Sequence, residues 1–589
     1  MRRLSRLVAV ILDRHPDAVA VSGPATRLVA APLAISPSAA SRTAASATAG
    51  PTAWPDRAAT GRWVALGLGL IAAAVCAWGI GTPWPWSDEG ATYLALQRSW
   101  ADLTVLWGGP DAPMVPYYYL AKAWAALLWS FWPGLSTLVA VRLLSAAAAT
   151  ATVVVLYALV ARNAGRLTGV LAGLVLLSLA GFDRYAQEAR PYALLALAAT
   201  VSWLASDRRL RPGRVALGFR SVPADDSGPG PARGRRLGAA AGHAVSLAAV
   251  GAVHTFGMFQ WPAQLIAWLA APGTPRARLR RAVSIVLTLL AAALLAGGQL
   301  AATVDHGTGP PGLAAHRVVA VGTVAGQLLR GISMTSSPAV SALVLGLALV
   351  GLLSRPGGRR EFPAGLLIWL AVPLAAELAV GAVRTNLFRL RYWIAFLPPL
   401  AALAALGMIA VAGMVVRLLG GRPNDPASWP AGARVAAGVT VLALLAVQVA
   451  TVLPVQRRIR ATDGHSENLA GVFSAIADAR AEHPGVRVVI SNGSANGMIG
   501  SVDPAIMATN PLSRIDPSVR TVYSTAPPPS YVREVLTGDR YLLWIYKGEV
   551  TPADAARRAP ASLAQLRPTI VRATPAGTGW TALLLELPG

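Results

Sequence analysis

The sequence predicts a mainly α-helical, polytopic membrane protein: a helical bundle of about eleven spans followed by a small extracytoplasmic α/β domain. Three observations carry this. Apolar residues make up 54% of the 589-residue chain and recur in blocks long enough to cross a bilayer. Charged residues make up only 13%, about half the usual share in a soluble domain. The net charge of +25 comes almost entirely from arginines, which cluster in short loops between apolar runs, the pattern of a positive-inside membrane protein and not of a nucleic-acid binder.

Residues 1–60 are rich in Ala, Ser, Thr and Pro with scattered Arg. The run "VAVIL" is too short for a signal-peptide core, so this stretch is expected to be a disordered cytoplasmic tail. The transmembrane region, 61–454, has candidate spans at 62–82, 136–160, 167–182, 191–205, 238–255, 257–271, 282–301, 338–354, 362–381, 392–416 and 433–453. Several are short, notably 167–182 and 257–271, which predicts tilted or broken helices. The one cysteine, Cys76, lies in the first run; it reads as a small core thiol and rules out an intramolecular disulfide or a cysteine metal site.

With the N-terminus inside, the inner segments hold roughly 28 Arg and the outer loops roughly 9 Arg or Lys, a consistent bias. "YYYLAKAWAALLWSFW" (117–132) is apolar enough to resemble a span but would invert the bias downstream. It is expected to lie along the outer surface as an interfacial helix, its aromatic rings at headgroup level and Lys122 snorkelling; a re-entrant segment is the alternative. Four polar stretches then share the outer face: 84–135, 183–190, 302–336 and 382–391. From 455 to 589 the composition changes. "SENLAGVFSAIADARAEHP" reads as an amphipathic helix, and "VRVVISN" and "YLLWIYKG" read as strands.

Charges at a membrane edge are costly and mark candidate sites. Asp88 and Glu89, in "WPWSDEGATY", suit the positive end of a helix that Ser87 caps; they equally suit a base that takes a proton from a hydroxyl. Asp111 and Lys122 flank Tyr118 and its neighbours. Lys122, one of only two lysines in the chain, reads either as a snorkelling side chain or as a phosphate contact. "FDRYAQEARPYALLAL" packs Asp183, Arg184, Tyr185, Gln187, Glu188, Arg190 and Tyr192 between two spans, more charge than a turn needs and suited to a phosphate. "AVRTNLFRLRYWIAF" places Arg389 and Arg391 outward against the bias, either as headgroup anchors or for an anionic ligand. His254 reads as a structural hydrogen-bonder or a site residue. Asp88, Glu89 and Asp111 offer a place for Mg²⁺ or Mn²⁺ that nothing in the pattern demands. These features suit transfer of a group from a lipid phosphate; they also suit export of an anionic lipid or glycan. A transporter usually shows repeat halves and polar residues at the midplane, and neither is evident. A catalytically dead scaffold is the third reading.

Taken in order, "SDEGATY", "YYYLAKAW", "RLLSAAAATATVVVLYALVAR", "RYAQEARPYALLAL", "HTFGMFQWPAQ" and "RYWIAFLPPLAALAA" resemble the GT-C superfamily of polyprenyl-phosphate-sugar glycosyltransferases. The nearest likeness is to family 39-like bacterial enzymes, especially actinobacterial mannosyltransferase-like members, over about 84–400. The resemblance implies a multi-pass plasma-membrane enzyme, N-terminus cytoplasmic, that passes a sugar from a polyprenyl-phosphate donor to a glycan, lipid or protein hydroxyl on the outer face. It implies Asp88 as general base with Glu89 beside it, and Arg190, Arg391 and Lys122 toward the lipid phosphate. One displacement inverts the anomeric centre. Where the family has His-Pro-Pro before Tyr-Tyr, this chain has Asp111-Ala112-Pro113. Mannose and arabinofuranose both fit the resemblance, and the acceptor is not carried over.

Overall fold

In a computed structural model of the protein, the residues described are 57–108, 112–211, 229–306, 321–335, 338–356, 360–383, 390–421, 429–465, 470–491, 519–522, 540–547, 551, 553–554, 567–576 and 580–588; all fall within one compact unit, 55–589. The bundle starts with α1 (Arg57–Ala77) and continues through α2 (Ser87–Gln97), α3 (Val115–Phe131) and α4 (Thr137–Ala164). Next come α5 (Arg166–Ser178), α6 (Ala180–Ala186), α7 (Tyr192–Leu210), α8 (Pro229–Val253) and α9 (Gln260–Ala270). The remaining bundle helices are α10 (Pro275–His306), α11 (Val321–Ser333), α12 (Pro338–Leu353), α13 (Glu361–Val383), α14 (Leu397–Leu418) and α15 (Ala431–Ile459).

Among the described residues, six helices are long and apolar enough to cross a membrane, or eight if two bent pairs each count as one span. That is fewer than the eleven expected. The α5–α6 pair bends by 73° and the α11–α12 pair by 88°. α9 has only 11 residues, and the apolar part of α1 is confined to Gly61–Ala77. The flagged run 167–182 is a broken helix, because Leu179 leaves helical geometry (φ −75°, ψ 117°) between α5 and α6, and 257–271 holds only the short α9.

The core sits among α1, α4, α5, α7, α12 and α14, filled with Ala, Leu and Val. At the α12–α14 crossing, a Cβ at Gly351 would collide with the Leu403 carbonyl, and one at Gly407 with the Leu347 carbonyl. The two glycines let these backbones touch, and α14 in turn carries the arginine-bearing 3₁₀ segment Leu390–Phe396 at its N-terminus. α3 buries Val115, Tyr117, Tyr118, Ala121 and Ala125 and leaves Leu120, Leu127 and Phe131 exposed. Two of its indoles, Trp124 and Trp129, donate to the Ala140 and Leu135 carbonyls at 2.9 and 3.0 Å, pinning it across the start of α4.

After α15 the chain builds a second layer. The helix α16 (Ala470–Glu482) packs on a five-stranded sheet of order β2-β1-β3-β5-β4. β1 (Arg487–Ser491), read from "VRVVISN", pairs parallel with β2 (Val519–Val522) and β3 (Tyr541–Lys547). β5 (Trp580–Glu586) pairs antiparallel with β3 and with β4 (Thr569–Pro575). β3 is buried from Leu542 to Tyr546 and β5 from Trp580 to Leu585, as central strands should be. Trp84, from the segment that follows α1, packs against this domain's core of Val472, Ile476, Leu543 and Ile545.

Candidate active site

The chain leaves α1 through Pro83 and Pro85, which hold it extended up to Trp86 (φ −102°, ψ 170°), and α2 begins at Ser87. The N-cap is therefore Trp86 and not Ser87, and Asp88 and Glu89 occupy the first turn. Their fates differ. Glu89 is 1% exposed. Arg142, from inside the apolar run of α4, grips it with Nε to Oε1 at 2.8 Å and Nη2 to Oε2 at 2.7 Å. The Ala189 N–H donates to Oε1 at 2.8 Å and the Trp86 N–H to Oε2 at 3.4 Å. Burial pushes the Glu89 carboxyl up, but Arg142 outweighs it and holds the group well below the usual carboxylate range. Glu89 is thus a fixed anion with no oxygen to spare.

Asp88 is the accessible member of the pair. Its side chain is 25% exposed, and Arg391 Nη1 donates to Oδ2 at 2.6 Å. Arg190, almost buried, reaches the same turn: its Nη1 donates to the Asp88 carbonyl at 3.2 Å and to the Tyr118 hydroxyl at 3.3 Å. Arg190 is positioned by a tight turn, Arg190 N–H to Glu188 C=O at 2.7 Å. That turn is pinned to α2 by Thr92 Oγ1 on the Ala189 carbonyl at 2.8 Å and to α4 by Ser145 Oγ on the Glu188 carbonyl at 2.5 Å.

Arg184 pairs with Glu188 at 2.5 Å. Burial raises the Glu188 carboxyl to about 7; Arg184 opposes this, while Glu89 and Asp88 add to it. The guanidiniums of Arg184 and Arg391 lie 5.9 and 5.8 Å from the Trp86 ring. Tyr185 meets Tyr192 edge-on, ring centroids 5.4 Å apart. Tyr192, His254 and Tyr392 form an aromatic wall, with His254 to Tyr392 at 4.9 Å. His254 accepts from the Phe256 N–H on Nδ1 at 3.3 Å, while its buried Nε2 has no hydrogen-bond partner among the described residues. Around Asp88 the arginines 142, 184, 190 and 391 face the carboxylates 88, 89 and 188. Among the described residues, Arg190 and Arg391 are the cations in contact with Asp88, a pairing suited to an anionic ligand.

Two expected contacts resolve otherwise. Lys122 Nζ donates to the Leu96 and Arg98 carbonyls at 2.6 and 2.7 Å and lies 5.4 Å from the Trp100 ring. It closes the C-terminal end of α2, where a helix favours a cation. Lys122→Met is expected to lower stability by about 1 kcal/mol, read by thermal unfolding in detergent, and to leave donor KM unchanged. Gln187 spends its amide nitrogen on the Cys76 and Trp78 carbonyls at 3.0 and 2.6 Å, tying its turn to α1. Asp111 and Arg389 lie outside the described residues. So does one corner of the expected cation site; among the described residues, no group of three His, Cys, Asp or Glu is placed to hold a metal ion.

Three residues that sequence reasoning did not nominate organise the site. Arg142 carried a signal, a charge inside an apolar run. Arg460, which pairs with buried Asp183 and donates to the Trp78 and Val75 carbonyls at 2.8 and 2.9 Å, and His465, beside Glu89, carried none.

No family model matches the chain, and no curated protein matches it in sequence. Its fold is similar to that of ArnT from Cupriavidus metallidurans in the apo state, with TM-score 0.50 and 12% identity over 89% of this chain and 98% of ArnT. ArnT bound to undecaprenyl phosphate gives TM-score 0.47 and 12% identity over 89% and 97%. The archaeal oligosaccharyltransferase AglB from Archaeoglobus fulgidus, in complex with an inhibitory peptide and a dolichol-phosphate, gives TM-score 0.48 and 13% identity over 82% and 69%. These neighbours are GT-C fold glycosyltransferases, and at such low identity the likeness to apo ArnT speaks for the fold alone.

Proposed function

We propose that the protein is a membrane glycosyltransferase that moves a sugar, mannose in the first instance, from a polyprenyl-phosphate donor to an acceptor hydroxyl. The observation that carries the reading is the division of labour in the Asp-Glu pair: Glu89 is locked, whereas Asp88 is accessible and lies beside Arg391 and Arg190. The GT-C fold and the sequence resemblance to polyprenyl-phosphate-sugar enzymes support it. The charge bias of the loops supports a plasma-membrane protein with its N-terminus cytoplasmic and this site and the C-terminal α/β domain, 455–589, on the outer face.

The chemistry follows from the groups present. Asp88 takes the proton of the acceptor hydroxyl as its oxygen attacks the anomeric carbon, and the bond to the phosphate oxygen breaks. Polyprenyl phosphate leaves with charge that Arg190 and Arg391 neutralise. A single attack inverts the anomeric centre. Arg391 serves two anions in turn: it holds Asp88 in the ligand-free state, and the donor phosphate competes for it, releasing the carboxylate as a base.

The test is transfer by the purified protein from labelled polyprenyl-phosphate mannose, with the arabinofuranose donor alongside and with and without a chelator, which reads any need for Mg²⁺ or Mn²⁺. Sugar released to water or passed to an acceptor supports the reading. No turnover of any polyprenyl-phosphate sugar, with lipid or glycan export in vesicles, replaces it with the transporter. Arg391→Ala is expected to lower kcat/KM for the donor by about 10²-fold, with the acceptor KM held within about twofold of wild type.

A further inference from the structure

The segment that carries Asp88 is held on one side by the bundle and on the other by the chain that leads into the C-terminal domain. Arg142 donates Nη1 to the Ile80 and Pro83 carbonyls at 2.8 and 2.9 Å and grips Glu89 with its other nitrogens. From the far side, the Trp84 N–H donates to the Thr462 carbonyl at 2.9 Å, and the Trp84 ring packs against the α/β core. His465 lies between them, fully buried, with Nδ1 3.2 Å from Arg142 Nη2 and 3.5 Å from Glu89 Oε2.

A guanidinium only donates, so Nδ1 accepts from Arg142 and the ring proton sits on Nε2. Burial, reinforced by Arg184 and Arg142, pushes His465 down to about 3, so the ring stays neutral and the acceptor persists across the physiological range. The imidazole therefore fixes the orientation of the one guanidinium that fixes Glu89, and Glu89 fixes the first turn of α2, one residue from Asp88.

We propose that His465 is a positioning residue for the reaction, coupling the C-terminal domain to the helix that bears the base. The domain is then part of the catalytic mounting and not a detachable acceptor module. The proposal rests on the glycosyltransferase reading for its kinetic consequence but not for its structural one. A displaced reactive group at the ångström scale costs about 10²-fold in rate.

The experiment compares His465→Leu, which removes the acceptor, with His465→Asn, whose Oδ1 falls close to the position of Nδ1. Both are made in the full chain. Two readouts are taken: kcat and KM for transfer from polyprenyl-phosphate mannose, and hydrogen–deuterium exchange of peptides covering 84–97. The expected result is a kcat about 10²-fold lower in His465→Leu with donor KM within threefold of wild type, faster exchange over 84–97, and both restored toward wild type in His465→Asn. Wild-type kcat and exchange in His465→Leu overturn the proposal. So does equal impairment of the two variants, which makes the residue a filler of space. If wild type transfers no sugar, the exchange data alone decide the coupling, and the glycosyltransferase reading fails separately.

Discussion

Asp88→Asn is expected to lower sugar transfer by about 10²–10⁴-fold, the usual contribution of a positioned general base. The amide matches the carboxylate in shape but takes no proton, so the acceptor hydroxyl must attack without one being removed. The change also removes the anion that holds Arg391 at 2.6 Å. Arg391 then meets the donor phosphate without competition, so donor KM should fall or stay level while kcat collapses. That split distinguishes loss of a base from general damage to the site, which would raise KM. It is read in membranes or detergent with a labelled polyprenyl-phosphate sugar; a variant that turns over at the wild-type rate removes Asp88 from the mechanism.

The second large effect is on stability. Arg142→Leu leaves Glu89 buried with the Ala189 and Trp86 N–H groups and a neutral imidazole as its remaining partners. Breaking a buried ion pair from one side costs about 3–5 kcal/mol, because the surviving charge stays desolvated. The variant should unfold at a clearly lower temperature in detergent and accumulate poorly in membranes. Pairing it with Glu89→Leu removes the stranded charge and should restore most of the unfolding temperature, although activity stays lost because the first turn of α2 is no longer tied to α4 through Glu89. If the single variant melts like wild type, the Glu89–Arg142 pair does not hold the helix.

What the sequence disclosed, and what it hid, follows from the range of each interaction. Asp88 stood out because an apolar run stops just before it, Arg391 because it breaks the charge bias, and Arg190 because its segment holds more charge than a turn needs. The helix 470–482 and the strands 487–491 and 541–547 were legible in the sequence; β2, β4 and β5 escaped notice. Lys122 was read as a snorkelling side chain or a phosphate contact; in the structure its ammonium answers the carbonyls of a helix that ends some twenty-five residues earlier in the chain. No local pattern records that the end of α2 passes beside α3. Arg142 was visible as a charge in an apolar run, but only the fold shows which acid it serves. His465 was invisible, since nothing near it in sequence hints at a partner 376 positions away. The span count suffered from the same limit, because a hydropathy window reads α5 and α6 as one run and does not register the 73° bend at Leu179.

That separation has a consequence for biogenesis. Glu89 emerges early and Arg142 soon afterwards, but His465 follows only 376 positions after Glu89. At ribosomal speeds of about 5–20 residues per second, the helix bearing Asp88 waits roughly 20–75 seconds for its last supports. The nascent bundle therefore holds its chemistry in an unfinished state until the membrane region is complete, and a ribosome that stalls before residue 462 releases a product that contains Asp88 without the contacts that set it in place.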